Sequence, residues 1–234
     1  MKAFLLAAGH GTRLRPLTDH TPKCLLPIAG VPLLRIWLEL CAAHAIDDVL
    51  VNIHAHPDAI RAYLARENGH GVRVQVSEET VLLGSAGTLV ANREFVAGEE
   101  CFWILYADVL TNADLSAMLA LHRSAKPLAT LGLYEVPDPT RCGIVKLDEA
   151  SIIREFVEKP AIPASRLAFT GVMLACPAVL DLIPNLPEAD LGFHLLPRLV
   201  DRMVGYRIHE FLMDIGTMEN YRFAQTVWPG LKND

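Results

Sequence analysis

Lys2-Ala3-Phe4-Leu5-Leu6-Ala7-Ala8-Gly9-His10-Gly11-Thr12-Arg13 is the stretch that decides how this chain is read. An apolar run from Ala3 to Ala8 reads as a buried strand, and it stops at a glycine turn. Glycine has no Cβ, so backbone N–H groups in such a turn can close on an anion. Arg13 ends the turn, and Thr21-Pro22-Lys23 follows shortly after. A strand, a glycine turn and two cations together suit a polyphosphate.

Two commoner phosphate loops do not fit. A dinucleotide-binding turn needs G-x-G-x-x-G opening a helix, but Leu14 stands at the third glycine position. Pro16 also disfavours a long helix directly behind the loop. The P-loop pattern G-x-x-x-x-G-K-[ST] occurs nowhere in the chain.

Working outward, strand and helix patterns alternate through the first half. Lys2–Ala8, Asp48–Ile53, Val72–Val76 and Cys101–Tyr106 are short and aliphatic on both faces, as buried parallel strands are. Helical patterns lie near Pro32–His44, Pro57–Glu67, Ala86–Asn92 and Leu115–Ser124. The alternation predicts a parallel sheet of βαβ units, with ligands at the carboxyl ends of the strands. The second half, with Leu128–Glu135, Gly143–Leu147, Ile152–Glu158 and Phe169–Leu174, reads as an antiparallel insertion. Helices are predicted again near Asp190–Arg202 and Met218–Thr226. With no linker, repeat or low-complexity segment, residues 1–234 read as one domain.

Composition narrows the function classes. The 21 basic and 27 acidic residues give a net charge of −6, which disfavours a general nucleic-acid or anionic-membrane surface. No apolar run approaches the ~20 residues of a membrane helix, and Ala3–Ala8 is too short for a signal peptide. Cys24, Cys41, Cys101, Cys142 and Cys176 are odd in number and form no C-x-x-C, so reduced thiols in a cytoplasm are expected.

Taken by themselves, the other candidates stay open. Asp108 ends an apolar run, where a carboxylate is costly unless paired or metal-bound. It is either a helix cap, with Asn112 and Asp114 nearby, or a Mg²⁺ ligand. Asp214 precedes Gly216-Thr217, where Thr217 is a candidate helix cap. His54 and His56 form H-x-H without an evident third ligand, so a zinc site is not expected.

The string Leu6-Ala7-Ala8-Gly9-x-Gly11-Thr12-Arg13-Leu14-x-Pro16-Leu17-Thr18, with Thr21-Pro22-Lys23, resembles the signature loop of the sugar-phosphate nucleotidylyltransferases, and the Glu79 position and the Asp190-to-Arg198 segment look most like the short mannose-1-phosphate guanylyltransferase type. Leu83-Gly84-Ser85-Ala86-Gly87, Phe156-x-Glu158-Lys159-Pro160 and Asp214-Ile215-Gly216-Thr217 resemble its later motifs. The resemblance implies a Rossmann-like three-layer α/β fold, with a mixed, mostly parallel sheet and an antiparallel sugar-side insertion. It implies a catalytic domain without the C-terminal β-helix of longer members.

It also implies roles. Leu6, Ala7, Ala8, Gly9, Gly11, Thr12, Arg13, Lys23, Glu79, Gly84 and Ala86 would meet the nucleotide. Asp108, Gly143, Glu158, Lys159, Thr170 and Gly171 would meet the sugar phosphate, and Asp108 and Asp214 would bind Mg²⁺. Arg13, Lys23 and Asp108 would be the catalytic set. Cys142 and Phe169 depart from the family pattern on the sugar side, where an aromatic residue and an asparagine are usual.

The implied reaction joins a sugar 1-phosphate to a nucleoside triphosphate and releases pyrophosphate. A carboxylate at Glu79 offers paired acceptors to guanine, which favours GTP, and the resemblance to the short guanylyltransferases implies mannose 1-phosphate or a related manno-configured sugar as the second substrate. Glu78 or Glu79 as a plain surface charge stays an alternative. So do a uridylyl- or thymidylyltransferase and a non-catalytic sugar-nucleotide-binding homologue. No nucleic-acid or membrane partner is expected, and a homodimer is left open.

Overall fold

Aliphatic runs become strands and amphipathic runs become helices, with proline, glycine and aspartate marking the joins. The computed structural model describes residues 1–231. Its strands are β1 (Lys2–Leu6), β2 (Pro27–Ile28), β3 (Val31–Pro32), β4 (Asp48–Ile53), β5 (Arg73–Glu78), β6 (Phe102–Tyr106), β7 (Val109–Thr111), β8 (Ala129–Glu135), β9 (Gly143–Leu147), β10 (Ile153–Glu158), β11 (Leu167–Ala175), β12 (Met203–Arg207) and β13 (Leu212–Asp214). Its α-helices are α1 (Leu33–Ala43), α2 (Pro57–Arg66), α3 (Gly84–Ala91), α4 (Leu115–Ala125) and α5 (Met218–Val227).

The chain divides into two compact units, each assembled from separate stretches of sequence. The first holds Met1–Leu82, Leu105–Ala113 and residues 210–231. Here β1 pairs β4 and β4 pairs β5, both parallel, and the end of β6 lies beside β1. In register, Leu6 faces Asn52 and Ile53 faces Glu78. Parallel pairing requires crossovers, and α1 and α2 supply them. Phe4, Leu5, Trp37, Leu38, Val51 and Ile53 fill the core. Trp37 satisfies its indole by donating to the Val109 carbonyl at 2.8 Å.

The second unit holds Leu83–Ile104 and Asp114–His209. Its strands pair in the order β10-β9-β11-β8-β12, antiparallel except for β12 on β8. This is the antiparallel part expected of the second half. Leu131, Leu133, Met173, Leu174, Leu196 and Leu199 are buried. Taken with the first unit's parallel strands, the fold class is α/β, as expected.

The helix expected over Asp190–Arg202 is not one. A π-helical turn, Leu191–Leu195, runs into a 3₁₀ turn, Leu196–Leu199. Pro197 has no N–H to continue an α-helix and its ring crowds the preceding turn. The short strands β7, β12 and β13 were not legible. Three residues carry no period, and Gly205 interrupts β12. Among the described residues, no helix is long and apolar enough to cross a membrane.

Candidate active site

The glycine loop leaves β1 and folds over its own threonine. Gly11 takes a left-handed backbone (φ +63°), and a Cβ there would lie 2.9 Å from Thr18 Cγ2. Thr18 donates its hydroxyl to the Gly11 carbonyl at 2.9 Å. A Cβ on Gly9 would meet nothing within 4 Å, so that side of the loop is open.

Pro22 starts a 3₁₀ turn that delivers Lys23 to the end of β6. There Lys23 donates to Asp108 Oδ2 at 2.8 Å. Asp108 does not cap α4, because Asp114 does, accepting from the Ala117 N–H at 2.9 Å. Asp108 occupies the turn between β6 and β7 instead. That turn is held by the Ala107 N–H on the Leu6 carbonyl and by the Ile215 N–H on the Asp108 carbonyl, both at 3.1 Å.

β13 runs antiparallel to β7 with Asp214 opposite Val109, so the two aspartates share one end of that ribbon. Asp214 Oδ1 accepts the Gly216 N–H, and Asn220 donates to the Asp214 carbonyl at 2.7 Å. Thr217 caps α5, as its position predicted, accepting from Asn220 at 3.2 Å. Gly216 is the point of convergence. A Cβ on it would stand 2.6 Å from Asp214 Oδ1, 2.9 Å from Arg13 Nη2 and 3.2 Å from Lys23 Nζ. Arg13, Lys23, Asp108 and Asp214, scattered over some two hundred positions, thus meet in the first unit. Two cations from 3₁₀ turns and two carboxylates at strand ends form one charged cluster.

Glu79 lies at the end of β5 and is buried, whereas Glu78 is the surface carboxylate and pairs with Arg61. Asn52 donates to Glu79 Oε1 at 2.8 Å while its own Oδ1 accepts the Ala7 N–H at 2.7 Å. Sequence reasoning passed over Asn52. Its signal was a lone amide inside Val49-Leu50-Val51-Asn52-Ile53. His54 Nδ1 donates to the Glu79 carbonyl at 2.7 Å, and His56 Nε2 to the Thr18 carbonyl at 3.2 Å. Both histidines serve the backbone. Burial pushes the Cys24 thiol up to about 12, so this neighbour of Lys23 is no reactive thiol.

The second unit carries the remaining candidates. β10 ends at Glu158, and Lys159 follows with a left-handed backbone (φ +49°), its N–H on the Cys142 carbonyl at 3.0 Å. Glu158 is enclosed by glycines. A Cβ on Gly143 would lie 2.7 Å from Glu158 Oε2, and one on Gly192 would strike the same carboxylate. Burial raises the Glu158 carboxyl above its ordinary range; Lys159 opposes this and Asp190 adds to it. The Lys159 ammonium lies 3.7 Å from Glu158 Oε1 and 5.5 Å from the centroid of Phe193. Gly192 and Phe193 went unread because they sit in the turn expected to be helix.

Two of the candidates are engaged with backbone, the first of them the Thr170 hydroxyl. It donates to the Gly132 carbonyl at 2.9 Å and accepts the Val172 N–H at 3.1 Å, closing the bulge where Gly171 has φ +81°. The N–H groups of Ala86 and Gly87, in the first turn of α3, both donate to the Ala189 carbonyl at 2.8 and 3.1 Å. Ser85 completes that clasp, donating to Asp190 Oδ2 at 3.0 Å and accepting the Leu191 N–H at 2.8 Å.

A family model described as nucleotidyl transferase matches residues 2–227. The chain is 36% identical to a UTP–glucose-1-phosphate uridylyltransferase of Synechocystis over 215 residues, 86% of this chain and 55% of the relative. It is 32% identical to mannose-1-phosphate guanylyltransferase 1 of Arabidopsis thaliana over 227 residues, 94% of this chain and 63% of the relative. It therefore spans little more than half the length of these relatives. A Bacillus anthracis structure assigned as a glucose-1-phosphate thymidylyltransferase, in complex with sucrose, superposes with a TM-score of 0.87 at 23% identity, covering 100% of this chain and 97% of that one.

Proposed function

Because the chain belongs to the nucleotidyl transferase family, we propose that it joins a sugar 1-phosphate to a nucleoside triphosphate and releases pyrophosphate. The observation that carries this is the convergence of Arg13, Lys23 and Asp214 on Gly216, with Lys23 also bonded to Asp108.

In this reaction an oxygen of the sugar phosphate attacks the α-phosphorus in line. The new P–O bond forms as the bond from the α-phosphorus to the bridging oxygen breaks, and that electron pair leaves with pyrophosphate. No protein nucleophile is required, so positioning and charge stabilisation make up the catalysis. The glycine loop and Arg13 bind the triphosphate and the departing pyrophosphate. Lys23 binds phosphate oxygens near the reacting centre. Lys159 holds the phosphate of the sugar, and Glu158, its acceptor oxygens fixed among glycines, reads sugar hydroxyls.

Asp108 and Asp214 fit a Mg²⁺ ion. They are hard oxygen donors, two in number and fixed at one end of a ribbon, and Mg²⁺ typically takes one or two carboxylates with phosphate and water. Bound there, the ion would neutralise phosphate charge.

For the base and the sugar we favour GTP and mannose 1-phosphate. The buried Glu79 carboxylate supplies two adjacent acceptors, matching the paired N–H donors of guanine. The guanylyltransferase relative is consistent with this choice. The uridylyltransferase relative keeps UTP with glucose 1-phosphate as the second reading. A non-catalytic homologue is disfavoured by the presence of Arg13, Lys23, Asp108, Lys159 and Asp214 together. The free cysteines are consistent with the reducing cytoplasm.

The test is pyrophosphate release with Mg²⁺ over a grid of nucleoside triphosphates and sugar 1-phosphates. Release is expected, strongest with GTP and mannose 1-phosphate, and abolished by chelation. Silence across the whole grid overturns the assignment. A maximum with UTP and glucose 1-phosphate replaces the favoured substrates by the second reading.

A further inference from the structure

We propose that Asn52 is the positioning residue for base selection, acting through Glu79. The inference rests on the assignment of Glu79 to the base and extends it to a residue that touches no substrate.

The wiring is directional. An amide offers one acceptor and one donor group, and here they face different partners. The Oδ1 atom accepts the Ala7 N–H at 2.7 Å, which fixes which end of the amide is oxygen. The Nδ2 group therefore faces Glu79, donating to Oε1 at 2.8 Å. Ala7 belongs to the loop segment that follows β1, and Asn52 is paired in register with Leu6. The amide is itself buried, so neither bond is diluted by water.

The same stretch of β4 fixes the Glu79 backbone. Its N–H donates to the Ile53 carbonyl at 2.8 Å, and its carbonyl accepts from His54 Nδ1 at 2.7 Å. Asn52, Ile53 and His54 thus hold one glutamate at three points. A carboxylate held in this way presents its acceptors in one plane. A loosely held carboxylate would adapt to several bases and discriminate poorly. Strand β4 sets the reader, and the Ala7 bond keeps that reader in register with the loop assigned to phosphate.

The experiment uses the full chain with Mg²⁺ and measures dissociation constants for GTP, ATP, UTP, CTP and dTTP by calorimetry, so no sugar need be known. The quantity read is the affinity ratio of the preferred triphosphate over the next best. Asn52→Asp keeps the acceptor for Ala7 and replaces the donor to Glu79 by a second carboxyl facing Oε1. It should lower the ratio at least about tenfold, the worth of one buried hydrogen bond to a charged group. Added to Glu79→Gln, it should change the ratio less than about twofold, since both then act on one interaction.

If Glu79→Gln moves the ratio and Asn52→Asp does not, the proposal falls and the base assignment stands. If Glu79→Gln leaves the ratio unchanged, the base assignment falls and takes the proposal with it. Should Asn52→Asp fail to fold, judged by circular dichroism, Asn52→Ser carries the same comparison. Its hydroxyl is too short to replace the donor to Glu79. An equal loss of affinity for all five triphosphates would show a merely structural role and overturn the proposal.

Discussion

Lys23 Nζ stands 2.8 Å from Asp108 Oδ2, and the lysine is the more deeply buried partner, with its side chain 11% exposed against 36%. Asp108 is therefore both a candidate metal ligand and the counter-charge of the lysine proposed to bind phosphate. Asp108→Asn keeps the shape and removes the charge. Pyrophosphate release should fall on the order of 10²–10³-fold, as should that of Lys23→Met. Stability should move by only about 1 kcal/mol or less, because a partly solvated pair contributes little to folding. Thermal unfolding alongside the assay separates the two effects. Near-wild-type turnover in Asp108→Asn would remove this residue from the chemistry.

Gly216→Ala tests the convergence point without touching a charge. The added methyl would stand 2.9 Å from Arg13 Nη2 and 3.2 Å from Lys23 Nζ, and something must shift. A displacement of this kind in a positioned site costs up to about 10² in rate. We expect kcat/KM for the triphosphate to fall by tenfold or more while the sugar-phosphate KM stays constant. Equal losses on both substrates would show that Gly216 serves the fold and not the cation pair.

The first-unit site was largely legible because each of its residues sits at the end of an element the sequence marks. Aliphatic runs stop at Gly9 and Asp108, and Thr217 announces α5 one turn after Asp214. Asn52 was not legible because a polar residue inside a buried strand has no local pattern, and its partners lie 45 and 27 positions away. In the second unit the turn at Leu191–Leu195 was obscured by apolar spacing through Leu191, Leu195 and Leu199, which mimics a helix although Pro197 forbids one. The backbone bonds of Thr170 were hidden for another reason. A buried hydroxyl beside a bulge bonds the backbone first, and no motif reports that.

Ser85→Ala removes the clasp between α3 and the turn at Leu191. The Leu191 N–H loses its acceptor and Asp190 loses a donor. An unsatisfied, partly buried N–H costs about 1–3 kcal/mol. Urea unfolding should show a lower midpoint with an unchanged slope. Wild-type stability in this variant would mean that the clasp is replaced by water at no cost.

Glu158 should show opposite effects on folding and activity. Its carboxyl is raised by burial, so the folded chain holds a proton that the unfolded chain releases near the ordinary value of 4.5. Between those two pKa values the native state binds more protons, so this group's contribution to stability falls as pH rises through the window. Below 4.5 the contribution is intact; above the raised folded value it is fully lost. Glu158→Gln removes the charge and keeps the shape. The variant should melt at a higher temperature than the wild type at pH 7 and at nearly the same temperature below pH 4.5. Its KM for the sugar phosphate should rise meanwhile, since a neutral amide keeps one acceptor where the carboxylate offered two. A melting difference that grows on acidification would reverse the sign and show that Glu158 is stabilised, not strained, by its place between Gly143 and Gly192.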